Sequence, residues 1–179
     1  MAQSPYAVSS GAIRALSQRP SRITETRVAI LAAQFNEPIS RALVQGASDV
    51  LRRAGVAARH IQLVWVPGTF ELPVVAARLA HAKRRPHAII ALGALIRGQT
   101  PQYEVIAHAV AQGLSQVAVT AKIPVTFGVI VAETPAQARA RAGLPAPASG
   151  RQAGGSVGNR GADAALAALA VLRLFEQLG

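Results

Sequence analysis

Four short aliphatic runs, each followed by a stretch of helical periodicity, constrain this chain more than any other feature. The runs are Val28–Ala33, Ile61–Val66, Ala88–Leu92 and Pro124–Val131. Each is continuous rather than alternating, which is the pattern of a strand buried on both faces. Pro38 to about Ala54 sets Ile39, Leu43, Ala47, Val50 and Leu51 at helical spacing, with proline in the first turn and Gly55 just past the end. Leu72 to about Lys83 gives a second helix, with Leu72, Val75, Ala76 and Leu79 inward. Tyr103 to Ala121 gives a long third helix and Pro135 to Ala142 a short fourth. Ala162 to Leu178 gives the last, with Leu166, Leu169, Leu172 and Phe175 on one stripe. Parallel strands need crossovers, and crossovers are right-handed. The expected fold is therefore α/β: a three-layer α/β/α sandwich of the flavodoxin-like type around a four-stranded parallel sheet.

Composition agrees. The chain has 179 residues, the size of one domain, and 51% are hydrophobic while only 4% are aromatic. It carries 19 basic and 8 acidic residues, for a net charge of +11, and all the bases but Lys83 and Lys122 are arginines. That excess favours anionic partners: phosphate esters, nucleic acid or an acidic surface. There is no cysteine, which excludes disulfides, thiolate nucleophiles and thiolate zinc sites. No apolar run reaches the length of a membrane span, and no secretory signal stands at the N-terminus, so a cytoplasmic protein without a membrane partner is expected.

Two segments stand apart. Residues 1–22 hold Arg14, Arg19 and Arg22 and no acid, and a disordered basic arm is expected there. Residues 144–158 are rich in Pro, Gly, Ser and Ala with one charge, and read as a flexible insertion in a single domain spanning 23–179.

In an open parallel sheet, ligands sit at the carboxyl ends of the strands. Those ends are Gln34–Asn36, Pro67–Glu71, Gly93–Gln102 and Ala132–Thr134, of which the last is bland. Gly93–Pro101 leaves a strand and enters a long helix, whose free N–H groups suit an anion, with Arg97 and Thr100 adding donors. Thr100 serving only to cap the helix explains the same residues equally well. In Val66–Pro73 an aromatic and a carboxylate, Phe70 and Glu71, could cover and hold a planar substrate. The plainer alternative puts Phe70 in the core and Glu71 at a helix dipole. Gly154–Gly158 has no strand feeding it and reads as part of the insertion rather than a phosphate loop. The four histidines lack metal-ligand spacing, and no metal is expected; His60, His81 and His87 read as solvated.

Six segments stand in a recognisable order: Gln34–Glu37, Val66–Pro73, Ala91–Thr100, Pro124–Val129, Gln137–Gly143 and Gly158–Ala165. Together, over roughly residues 26–178, they resemble the 6,7-dimethyl-8-ribityllumazine synthases. The resemblance implies a cofactor-free condensation of 5-amino-6-ribitylamino-uracil with 3,4-dihydroxy-2-butanone 4-phosphate, with release of phosphate and water. It implies that Phe35 stacks on the pyrimidine beside Asn36. Thr69, Phe70 and Glu71 line the ribityl and pyrimidine pocket, and Leu95 and Ile96 hold the heterocycle through their backbone. Gln99 and Thr100 bind the phosphate. It further implies a homo-oligomer with sites between subunits, the neighbour supplying Phe127, Arg141 and Arg160.

Two departures from that pattern matter. Gln102 stands where the family has its proton-transferring histidine, and glutamine cannot titrate. His108 is a poor substitute, about 9 Å along the helix and roughly 240° around it. Glu104 replaces an aspartate and could act through water. The expectation is a working but slower enzyme, with Gln102, Glu104 and Arg141 at its reacting centre. The second departure is the insertion, which implies pentamers or decamers instead of a closed shell. The alternative is a catalytically weakened paralogue serving as an oligomeric scaffold for polyanions. Retention of Phe35, Glu71, Thr100, Phe127 and Arg141 favours the enzyme, so nucleic acid is not the expected partner.

Overall fold

The computed structural model describes residues 23–145 and 158–178. The arm at 1–22 and most of the insertion, 146–157, lie outside the described residues, so the expectations made for them stand untested.

The four strands are β1 (Val28–Ala33), β2 (Ile61–Val66), β3 (Ala88–Ile96) and β4 (Val125–Ala132). They form one parallel sheet in the order β2-β1-β3-β4. The helices are α1 (Glu37–Arg53), α2 (Leu72–Ala80), α3 (Gln102–Ala121), α4 (Pro135–Arg141) and α5 (Arg160–Leu178). The three-layer, flavodoxin-like arrangement expected from the strand-helix alternation is the arrangement found.

All six residues of β1 are buried, because the pleat sends alternate side chains into two separate cores. Val28, Ile30 and Ala32 face α1, α4 and α5, where Leu43, Leu51, Ala138, Ala165 and Leu169 meet them. Ala29, Leu31 and Ala33 face α2 and α3, where Leu72, Ala76, Val110 and Leu114 meet them. Each fully buried Ile or Leu contributes about 1.5–3 kcal/mol, so a continuous aliphatic run stabilises both layers at once.

Three expectations need correction. β3 runs to Ile96, four residues past the expected end at Leu92. Gly93 breaks the aliphatic run in sequence, yet the strand runs through it and a side chain would be crowded there: a Cβ would meet Thr69 Oγ1 at 3.0 Å and the Ala33 methyl at 3.2 Å. The second helix ends at Ala80 instead of Lys83, and the His81 ring hydrogen-bonds the Ala77 carbonyl at 2.8 Å across its last turn. On α5 the buried stripe is Ala164, Ala165, Ala168 and Leu169, while Phe175 is 46% exposed. Small residues win there because α5 lies close against α1.

The long β3 positions the site. β1 pairs with β3 only as far as Leu92, whereas β3 and β4 stay paired to Ile96 and Ala132. Residues 94–96 therefore rise above the end of β1 as a ledge. At the same place the chain leaves β1 for one face of the sheet and β3 for the other, which opens a crevice between them.

Candidate functional site

A cleft of about 350 Å³ occupies that crevice, bounded by the ends of β1, β2 and β3 and the start of α3. On the β1 side, Gln34 N–H donates to the Val66 carbonyl at 2.8 Å and Phe35 N–H to the Pro67 carbonyl at 3.3 Å, extending the ladder beyond the strand. Asn36 then adopts left-handed backbone, φ 61°, and its Nδ2 donates to the Ala94 carbonyl at 2.9 Å. Asparagine tolerates that conformation, and the bond ties the mouth of β1 to the ledge of β3. The Phe35 ring is left 72% exposed on a backbone held from both sides.

On the β2 side a 3-10 turn covers Thr69–Glu71. Thr69 is buried beneath Gly93, Glu71 is half-buried, and Phe70 is 60% exposed. The reading that placed Phe70 in the core is therefore wrong; it lines the cleft together with Phe35. Leu95, Ile96, Thr100 and Gln102 complete the lining. Thr100 does not cap α3, whose N-cap residue is Pro101 and has no side-chain hydrogen bond.

Nine of the sequence-derived residues thus come together: Phe35, Asn36, Thr69, Phe70, Glu71, Leu95, Ile96, Thr100 and Gln102. Gln99, Glu104, Phe127, Arg141 and Arg160 do not line this cleft. Phe127 is 43% exposed on β4, and Arg141 and Arg160 are exposed at the end of α4 and the start of α5. Arg160 lies 3.6 Å from Asp163. His108 is exposed on α3, its ring engaged with the Glu104 carbonyl at 2.8 Å.

Arg97 does not point into the cleft as a phosphate donor. Its guanidinium donates to Glu133 Oε2 at 2.8 Å, while its own N–H continues the sheet to the Ala132 carbonyl at 2.9 Å. The corner after β4 is therefore not bland. Glu133 also accepts from the Tyr103 hydroxyl at 2.7 Å, and that hydroxyl is 2.9 Å from Glu104 Oε1. The Glu104 carboxylate is thus engaged with a neighbour on its own helix. Hydrogen bonding to Arg97, then to Tyr103, holds the Glu133 carboxyl below its ordinary pKa. The Tyr103 phenol is held above its ordinary range, first by Glu133 and then by Glu104. Tyr103 and Glu133 are the residues that the sequence reading missed. The sequence shows Tyr103 only as the start of a helix and Glu133 only as part of the corner read as bland.

Outside the cleft, His60 and His87 are half-buried instead of solvated. The His87 ring Nδ1 accepts from the Arg27 N–H at 3.1 Å, and burial followed by the charge of Arg27 lowers its pKa. Among the described residues no three His, Cys, Asp or Glu side chains gather as a metal site. No helix among them is long and apolar enough to cross a membrane.

A parallel α/β sandwich with an open cleft at the carboxyl edge of its sheet, faced by two exposed aromatic rings and edged by hydroxyl and amide groups, is a flavodoxin-like protein of the kind that takes small ligands at that edge. Comparison with known proteins narrows the class. The family model of 6,7-dimethyl-8-ribityllumazine synthase matches residues 25–176. The synthase of Halorhodospira halophila is 42% identical over 156 residues, covering 87% of this chain and 92% of the relative. That of Thermus thermophilus is 40% identical over 154 residues, covering 85% and 89%. That of Leuconostoc mesenteroides is 36% identical over 155 residues, covering 87% and 92%. The chain belongs to the 6,7-dimethyl-8-ribityllumazine synthase family. Its members are transferases that form 6,7-dimethyl-8-ribityllumazine in riboflavin biosynthesis, and the chain is one of these enzymes. All three relatives carry the synthase name, and none of them supports the polyanion scaffold.

Proposed function

We propose that the cleft between β1, β2 and β3 is where 5-amino-6-ribitylamino-uracil and 3,4-dihydroxy-2-butanone 4-phosphate condense to 6,7-dimethyl-8-ribityllumazine. The observation that carries this reading is the convergence of Phe35, Phe70, Glu71, Ile96, Thr100 and Gln102 on one opening. The Phe35 ring stacks on the pyrimidine, with Asn36 holding the turn beneath it. Thr69, Phe70 and Glu71 line the ribityl and pyrimidine side, the carboxylate accepting from N–H groups. The backbone of Leu95 and Ile96 hydrogen-bonds the heterocycle along the exposed edge of the ledge. Gln99 and Thr100, beside the free N–H groups of α3, receive the phosphate.

An amine adds to a ketone, water and phosphate leave, and the ring closes. Both partners are intrinsically reactive, so holding them together supplies much of the acceleration. Gln102 orients substrate or water but carries no proton. With Glu104 engaged by Tyr103, protons move through water or through the substrate phosphate, and turnover is slower than with a titrating residue at 102.

Phe127, Arg141 and Arg160 are exposed and lie outside the chain's own cleft, which supports their serving the cleft of a neighbouring subunit in a pentamer or decamer. Arg141 and Arg160 then close on the phosphate from that side. The reading needs no cofactor, metal or membrane, and it assigns the protein to the cytoplasm. The test is product fluorescence from the two purified substrates. Formation of lumazine above the spontaneous rate, reduced by Phe35→Ala, supports the reading. No formation above that rate, or formation untouched by Phe35→Ala, would overturn the assignment of the reaction to this cleft.

A further inference from the structure

Asn159 uses its whole hydrogen-bonding capacity at the meeting point of three helices. Its Nδ2 donates to the Ala42 carbonyl on α1 at 2.9 Å and to the Ala142 carbonyl after α4 at 2.8 Å. Its Oδ1 accepts from Gly161 N–H at 2.8 Å and Ala162 N–H at 3.1 Å, capping α5. A primary amide offers two donors and one two-lone-pair acceptor, so nothing is left over. The surroundings are cut to fit it. A side chain at Gly46 would overlap the Asn159 amide, and one at Gly161 would overlap the Leu43 carbonyl.

Arg141 immediately precedes the residue whose carbonyl Asn159 holds, and Arg160 immediately follows Asn159 itself. The two arginines are separated by the insertion in sequence, yet both backbones are anchored at one amide. The Arg141 side chain has no hydrogen-bond or ion-pair partner among the described residues. Resting on the phosphate-site reading above, we propose that Asn159 is the positioning residue that sets Arg141 and Arg160 at a common distance for one phosphate ester. The insertion between them does not set that distance. Aspartate could not do this, because it would turn a carboxylate toward two carbonyl oxygens. Serine could cap α5 but could not reach Ala42 and Ala142 with two donors.

The experiment measures kcat, the KM for each substrate, the Ki of inorganic phosphate and the Tm of the full chain for Asn159→Ala, Asn159→Ser, Arg141→Ala and the Asn159→Ser, Arg141→Ala double variant. The serine variant keeps the helix cap and serves if the alanine variant fails to fold. The expected result is that Asn159→Ser raises the KM of the phosphate substrate and the Ki of phosphate together by about tenfold, the scale of one charge-assisted hydrogen bond. The KM of the pyrimidine substrate stays put, and in the Arg141→Ala background the serine substitution adds clearly less than about tenfold, because only Arg160 is left for it to misplace. A lower Tm with both phosphate constants unchanged would overturn the proposal, as would effects that multiply in the double variant. If Arg141→Ala itself alters neither phosphate constant, the phosphate-site reading fails and takes the proposal with it. If only the Asn159 variants are silent, that reading survives and the positioning role does not.

Discussion

The Tyr103 hydroxyl donates to Glu133 at 2.7 Å, joining the first turn of α3 to the corner after β4. The other Glu133 oxygen takes Arg97 at 2.8 Å, so one carboxylate holds both ends of the loop that runs from β3 into α3. That loop contains Gln99 and Thr100. The phenol has one proton and two carboxylates within reach, and losing the proton would set three negative charges side by side.

The phenol therefore ionises late. The stability this bond contributes is present below the ordinary tyrosine value near 10 and is lost as pH rises through the higher folded-state value. The chain has two tyrosines, Tyr6 and Tyr103. In a Tyr6→Phe variant, tyrosinate absorbance is expected to appear only above the ordinary range. A midpoint near 10 would mean that the two carboxylates do not hold the phenol.

Cutting the same bond should loosen the loop. Tyr103→Phe and Glu133→Gln are each expected to raise the KM of the phosphate substrate about three- to tenfold, as for loss of about 1 kcal/mol. Steady-state kinetics on the folded variants decide it, and an unchanged KM removes the loop from the phosphate site.

Gln102 lines the cleft at the first residue of α3. Gln102→His places a titrating group there and is expected to raise turnover by about 100-fold, the lower end of the range of general acid-base catalysis. The rate should acquire a further dependence on pH near neutrality from the imidazole. Equal rates would show that proton transfer at this position does not limit the reaction.

His87 is neutral when it accepts the Arg27 N–H, and its pKa is lowered by burial and by Arg27. The stability it contributes is therefore present above the ordinary histidine value near 6.5 and falls as pH drops toward the lower folded value. Between pH 7 and 5, Tm should fall further in the parent chain than in His87→Gln, which keeps an acceptor but does not titrate. Parallel curves would exclude His87 as the source of that loss.

If Phe127, Arg141 and Arg160 serve a neighbour's cleft as proposed, the chain assembles, and the insertion points to five or ten copies. Light scattering on the full chain should return one of those masses. A megadalton particle would refute the expected effect of the insertion on assembly.

The aliphatic runs carried the architecture almost entirely, since a buried strand and an amphipathic helix leave periodic traces in the chain itself. Their boundaries were less legible where a residue answers to a distant neighbour. Gly93 looks like the end of a strand until Thr69 is seen to need the space. The cleft was readable through the order of its motifs, not through any one of them; Phe70 alone fitted the core as well as the site. Arg97 was misread and Glu133 overlooked for one reason. Their partnership spans 36 residues, and no local pattern records which of several acids an exposed arginine will meet.

The amide of Asn159 also changes what the length of the insertion costs. It closes the chain back onto Ala142, 17 residues earlier, at both roots of the segment. Closing a loop becomes harder only with the logarithm of its length, about 0.6 kcal/mol for each doubling. Sequence can therefore accumulate or disappear between those roots with little penalty to folding and without displacing the helices on either side. The segment becomes a tolerant place in the chain, where natural drift or an engineered graft would be absorbed.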